Sequence, residues 1–446
     1  MLSLRRLLRT SGLAIALQLA SCEGPPTNVE PVAPEAEATA DRFPSYSPAY
    51  PPPADWAGPV FQLSQDYPKE LPGEEPQPWM EYDFRTQPEE YLLALREYVY
   101  EGMIARGADD WNAATNPVRT WYHMPWRQVG DTGREFIHGL TFEFPATPGS
   151  LGRTQRVTES TWAIAMYNPV AGYTVGQVWP SPLEGPNLEA ADYAVGAVII
   201  KALFTMATPE TVPSMQGAFE WQADVYPDPN CVKVGCKREI TTVRLIQLDF
   251  AVKDPRAADT LWVYGNLVYD YSVEAESVWE KMIPLGVMWG NDPELTASMK
   301  DAKPKESIVF YNRNEHPVNA FYPLGMSLDV DVYEHLGCHG RLVGPVDNPK
   351  SACLSCHATS QYPPANAFPQ GTLAQCDDPA LNGALWRNIK GGEIWKPCAE
   401  KTFPLDYSLE LADAVQAYFE AQGQDTTCDD PATPDKEPKY DVRRYQ

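Results

Sequence analysis

Thr161-Trp-Ala-Ile-Ala-Met-Tyr167 and Thr242-Val-Arg-Leu-Ile-Gln-Leu-Asp-Phe-Ala-Val252 decide the fold class. Both are rich in β-branched and aromatic residues, the types that suit a pleated, half-buried surface. Tyr173 to Trp179, Ala194 to Phe204 and Leu261 to Tyr271 have the same character, and turn residues separate all five runs. The pattern predicts strands packed as a β-sandwich over roughly 110–290. The 44 prolines of the chain agree, because proline interrupts helices and marks turns. Two helices flank the strands. Leu92, Leu95, Val99 and Met103 form one stripe over 87–104, behind Thr86-Gln-Pro-Glu89, which has the form of a capping box. Leu411, Val415 and Phe419 share a face over 407–422, and Gly423 is placed to stop that helix. The fold class expected is therefore α+β. A large β-rich domain with an N-terminal helix occupies 61–300, and a smaller helical region follows over 301–446.

The first residues read as an export signal. Arg5, Arg6 and Arg9 precede the short apolar run Leu13 to Ala20, too short to span a bilayer as a mature helix. Leu19-Ala20-Ser21-Cys22 resembles the bacterial lipobox, in which the cysteine thiol receives a diacylglycerol and becomes the first residue after cleavage. The resemblance implies a lipoprotein with signal peptide 1–21 and lipidation at Cys22, held at the membrane by its acyl chains. Glu23 in the next position points to the outer membrane, on its periplasmic or cell-surface side. Residues 22–60 are proline-rich and lack apolar periodicity, as expected of a tether. Without residues 1–21 the chain carries 32 basic against 60 acidic residues, a net charge of −28. Phosphate binding needs a basic face, so nucleic acid is not an expected partner. An acidic surface steers basic proteins instead.

Cys353-Leu-Ser-Cys-His357 carries the chemistry. This is the pattern of c-type haem attachment. Two thiols separated by two residues reach the two vinyl groups on one porphyrin edge and form thioethers. The histidine that follows falls beneath the iron as its proximal ligand. The motif occurs once, so the cofactor expected is one haem c held by Cys353, Cys356 and His357. The export signal directs the chain to the compartment where such attachment takes place. A zinc site would need two further ligands, and a redox CxxC normally opens a helix after a strand.

No histidine or methionine follows His357, so a sixth iron ligand must come from upstream or from a less usual donor such as lysine. His123, His138, His316, His335, His339, Met288, Met299 and Met326 compete with a five-coordinate iron. His335 is the distal ligand expected, being close to the motif and beside Gly337 and Gly340. His123 is read as a core residue, and Asn291-Asp292-Pro293 as a turn. Six cysteines remain, an even number in an oxidising compartment. Cys231 and Cys236 bracket a short turn and are the predicted disulfide, while the connectivity of Cys338, Cys376, Cys398 and Cys428 stays open.

Several strings resemble a family of large bacterial single-haem cytochrome c domain proteins of lipoprotein type. They are Thr120-Trp-Tyr-His-Met-Pro-Trp126, Gly133-Arg-Glu-Phe-Ile-His-Gly-Leu-Thr141, Pro284-Leu-Gly-Val-Met-Trp-Gly-Asn-Asp-Pro293, Gly344-Pro-Val-Asp-Asn-Pro349 and Asp406-Tyr-Ser-Leu-Glu-Leu411. The likeness runs from about 115 to 422, and Cys338 departs from it. It implies a cytochrome c-like haem region beside a large β-rich part, and no substrate. The function expected is electron transfer by a membrane-anchored cytochrome to a redox partner protein with a basic docking face. The alternative is a haem-dependent oxidoreductase whose β-rich part binds a small molecule. No nucleophile–base set and no flavin or nicotinamide fingerprint accompanies the motif, so catalysis is the less expected role.

Overall fold

The computed structural model describes residues 42–424, except 74, 105–110, 144, 149–150, 152–154, 230, 232–235, 297–298, 300–301, 311–336, 349–350, 365–384 and 399–400. Cys22, His316, Met326, His335, Cys376 and Cys428 thus lie outside the described residues.

The β-branched runs build one antiparallel sheet. Its strands are β1 (Thr141–Phe142), β2 (Thr161–Tyr167), β3 (Val198–Thr205), β4 (Glu220–Val225), β5 (Glu239–Lys253), β6 (Trp262–Tyr269), β7 (Met282–Met288) and β8 (Ser307–Val309). The order is β1-β2-β3-β5-β6-β7-β8, with β4 paired to the first half of the long β5. A short ribbon of β9 (Gln361–Tyr362) and β10 (Phe403–Pro404) lies apart from it. The chain is thus α+β and mostly β, but β1–β8 form a single sheet where a sandwich of two was expected. Helices and loops cover both of its faces in place of a second sheet.

On one face Trp162, Ile164, Met166, Ile200, Ala202, Leu248, Phe250 and Val263 form an apolar floor. Helix α1 (Pro88–Met103) lays Leu92, Leu95, Val99 and Met103 on it. Each large side chain so buried contributes about 1.5–3 kcal/mol. Contact is close enough that a Cβ on Gly265 of β6 would stand 2.4 Å from a Leu92 methyl. The entry to α1 differs from the expected capping box: Gln87 is the N-cap and makes no side-chain cap bond. Pro88 at the first helical position, with its φ already helical, begins the helix instead.

The opposite face carries α2 (Pro169–Val178), the short α3 (Cys353–His357) and α4 (Leu409–Ala421). The run Tyr173 to Trp179, expected as a strand, forms the second half of α2 and its C-cap, Trp179. Its valines suit a strand, but Asn168 caps the helix by accepting from Ala171 N and Pro169 opens it. Asn168 also accepts from Val198 N and donates to Gly196 O, which ties α2 to β3. Ser408 caps α4 through Leu411 N, and Gly423 follows that helix in the left-handed region at φ 72°. Cys231 and Cys236 are joined, with Cα atoms 4.7 Å apart, and Cys338 and Cys398 are each disulfide-bonded. No described helix is long and apolar enough to cross a membrane.

Candidate functional site

The site begins with how its polypeptide reaches the sheet. Arg341 is fully buried and stacks 4.0 Å from the centre of the Trp386 ring. Its guanidinium donates to the carbonyls of Asn291, Asp292, Leu295 and Cys338 at 2.8–3.1 Å. One side chain therefore satisfies four carbonyls and joins the Asn291-Asp292 corner to the approach to α3. Asp292 sits at φ 46° and accepts from Lys305 N, so the expected turn is present. Five residues beyond Arg341, Val346 N donates to Gln247 of β5, and Asp347 accepts from Gly344 N at 2.7 Å.

Cys353 then donates its amide to Leu342 O, and α3 starts at once. Ser355 closes the first turn, its Oγ accepting from Ala352 N and donating to Ala352 O, both at 2.9 Å. Leu354 is fully buried, with its amide 3.5 Å from the sulfur of Met288. One helical turn brings residues at i, i+3 and i+4 to one side. Cys353, Cys356 and His357 have that spacing. Both cysteines are free thiols of intermediate exposure. Burial, reinforced by Asp347 and Asp249, pushes the Cys353 thiol well above its ordinary value. Burial pushes that of Cys356 up to about 11. At neutral pH both keep their protons, as thiols rather than reactive thiolates do.

His357 is held more tightly than its exposure suggests. Its Nδ1 stands 2.8 Å from the carbonyl oxygen of Tyr407, an atom that can only accept. Nδ1 therefore carries the proton. Burial lowers the imidazole to about pH 4, so at neutral pH the ring is uncharged and Nε2 holds a lone pair. Nε2 makes no hydrogen bond among the described residues, and the Tyr264 ring lies 4.6 Å from the imidazole centre. The Tyr264 hydroxyl donates to the same Tyr407 carbonyl at 3.0 Å.

Tyr407 can offer that carbonyl because its backbone is forced. Asp406 and Tyr407 are consecutive left-handed residues at φ 45° and 64°, a conformation costing roughly 1–3 kcal/mol for each non-glycine residue. Both side chains are tied down. The Tyr407 hydroxyl donates to Ile389 O at 2.7 Å and accepts from Ile389 N at 3.1 Å. Asp406 accepts from Lys253 Nζ at 2.6 and 2.7 Å, from Trp262 Nε1 at 3.0 Å and from Tyr193 N at 2.8 Å. The side chains of Lys253 and Asp406 are 2% and 1% exposed.

The floor beneath α3 is polar. Strand register lines up Ala165, Lys201, Asp249, Asn266 and Gly286 in one row across β2, β3, β5, β6 and β7. Asn266 donates to Asp249, and its Oδ1 lies 3.8 Å from Cys353 Sγ. Gln247 Nε2 donates to both Asp249 and Asp347, at 2.7 and 3.1 Å. Burial and the neighbouring Asp347 raise the Asp249 carboxyl well above the ordinary range. Burial raises the Asp347 carboxyl as well, and Lys201, paired with Glu143 at 2.8 Å, opposes both shifts.

Cys353, Cys356 and His357 are thus together, with Met288 beside α3. His123 is buried in the core against Phe61, and His138 stacks on Trp221 at 4.0 Å. Met299 is half-exposed. The sequence reading passed over Tyr264, Lys253, Asp406 and the carbonyl of Tyr407. Only the string Asp406 to Leu411 had singled out part of that set. Chemically, the arrangement offers two thiols one turn apart and a neutral imidazole whose Nε2 carries a lone pair. Among the described residues no group of three or more His, Cys, Asp and Glu side chains converges as a metal cluster. Compared with protein-family models, with curated proteins and with solved structures, the chain finds no match in any of the three.

Proposed function

We propose that the chain is a c-type cytochrome that carries electrons through one haem attached at Cys353 and Cys356 and ligated by His357. The observation that carries the reading is the bond from His357 Nδ1–H to Tyr407 O. Metal-ligating histidines generally give their second ring N–H to a carbonyl or carboxylate, which fixes the tautomer and orients the ring. The donor chemistry fits as well, since both thiols are unpaired and protonated in a helical turn that sets them i, i+3.

When bound, the haem supplies a one-electron couple at its iron. The chain's own residues do the rest. Cys353 and Cys356 fix the porphyrin edge, Tyr407 holds the imidazole proton at Nδ1, and Tyr264 fills the space beside the ring. His335 is proposed as the distal ligand from its closeness in sequence alone. The resemblance to single-haem cytochrome c domain proteins supports the same reading of 301–446 as the haem-binding region. The Cys22 lipobox supports a lipid-anchored protein of the outer membrane, and the acidic chain a basic redox partner.

One preparation tests this. A pyridine haemochrome assay and an intact mass on protein from the membrane fraction should give one covalent haem c per chain and a diacylglycerol on Cys22. The Cys353→Ala/Cys356→Ala variant should hold no haem. Haem extractable by acid-acetone from the wild type, or no haem at all, refutes the cytochrome reading, and an unmodified N-terminus refutes the lipid.

A further inference from the structure

The carbonyl that orients His357 belongs to a backbone that would not hold its shape unaided. Two successive non-glycine residues in the left-handed region, one of them a tyrosine, revert to ordinary backbone unless something over-determines them. Inside the sheet, Lys253 at the end of β5 does so. Its ammonium grips both oxygens of Asp406, 153 residues away, with both side chains almost fully buried. Trp262 and Tyr193 N complete the carboxylate's partners. A buried ion pair is poor evidence for stability, since desolvation offsets most of its attraction, and its best-attested use is to specify a geometry. Here the geometry specified is the turn of chain whose next carbonyl meets His357.

We propose that Lys253 and Asp406 are positioning residues for the haem iron: their buried pair locks the 406–407 turn so that the Tyr407 carbonyl polarises the His357 imidazole and sets its strength as a ligand. This rests on the cytochrome reading above. A hydrogen bond from Nδ1–H raises ligand basicity and favours the ferric state, so the bond is a lever on the reduction potential.

The test uses the full-length holoprotein. Lys253→Met, Asp406→Asn and the double variant are compared with the wild type, the double variant leaving no unpaired buried charge. Lys253→Arg is the conservative rescue, and Leu248→Ala on the opposite face of the sheet is a control for general loosening. Haem content is measured first, then the reduction potential and the iron–imidazole stretching band of His357, read by resonance Raman on the five-coordinate ferrous photoproduct of the carbon monoxide complex. Haem content should stay at one per chain in every variant. In the three pair variants the band should move to lower frequency and the potential should rise. Lys253→Arg should recover both towards wild type, and Leu248→Ala should move neither. A folded, haem-bearing double variant with unchanged band and potential overturns the proposal, as does an equal shift in Leu248→Ala. Absence of covalent haem from the wild type is a different result and defeats the cytochrome reading itself.

Discussion

Two neighbours on β5 sum up the two faces of the sheet. Phe250 points into the face covered by α1, where register sets it between Ile200 and Gly265. Asp249 points to the face covered by α3, between Lys201 and Asn266. Successive side chains of a strand point to opposite sides, so one sequence position separates a packed apolar core from a polar floor. The difference teaches where function sits. A face selected only for stability would repeat the Phe250 side. The other keeps a lysine, a carboxyl and an amide under Cys353, each satisfied by a neighbour, at a cost in apolar burial, and this is the face of the proposed haem site.

The largest effect expected on stability comes from the apolar side. Phe250→Ala removes a ring that is 1% exposed and leaves a void between β3, β6 and α1. It should cost about 3–5 kcal/mol in denaturant unfolding, with haem content preserved in the protein that remains folded. A cost below about 1 kcal/mol would mean that this face is not the apolar core of the sheet.

How far this division was legible follows from the kinds of signal involved. Composition located β2, β3, β5 and β6 within a few residues of their bounds, and the stripes of α1 and α4 marked those helices. The valines of α2 misled, although Asn168 and Pro169 were readable start signals. A run of apolar and β-branched residues does not say whether its other face meets a second sheet or a set of helices, and the expected sandwich failed there. The motif at 353–357 was plain because its chemistry is local. Its support was not, because a carbonyl has no letter in a sequence and Lys253 meets Asp406 across 153 residues. Cys22 and His335 were singled out from sequence and lie outside the described residues.

A second carboxyl, at the β4 end of the sheet, sharpens the contrast through pH. Glu135 is fully buried and accepts from the amides of Ile137, His138, Leu140 and Asp224. Burial outweighs those donors and pushes its carboxyl up to about 7 from 4.5. Its proton is therefore held more tightly in the folded chain than in the unfolded one. That contribution is fully present below about pH 4.5 and is lost as pH rises to about 7. Across this window the stability of the wild type should fall with pH by up to about 3 kcal/mol relative to Glu135→Gln, whose curve lacks the step. Parallel curves for the two proteins would show that the four amides keep the carboxylate charged throughout, as an anion site held by backbone donors.

The smallest effect belongs to the polar floor, and it is where the contrast between the faces is most easily broken. Asp249 accepts from Gln247 and Asn266, and both side-chain amides donate to the same oxygen, Oδ1. Its carboxyl is raised by burial and by Asp347, and Lys201 opposite draws it back. Asparagine has the shape of the protonated acid and carries no charge. Asp249→Asn should therefore change the free energy of unfolding by less than about 1 kcal/mol at neutral pH, since the amide oxygen can accept from Gln247 and Asn266 in the place of the carboxyl Oδ1. Phe250→Ala, one residue along the strand, should cost several times as much. If the two variants unfold at the same denaturant concentration, the polar row is part of the stability core, and the proposal of a haem site on this face loses its physical basis. If Asp249→Asn is neutral to folding, its row is held for something other than stability, and the nearest group it serves is Cys353 through Asn266.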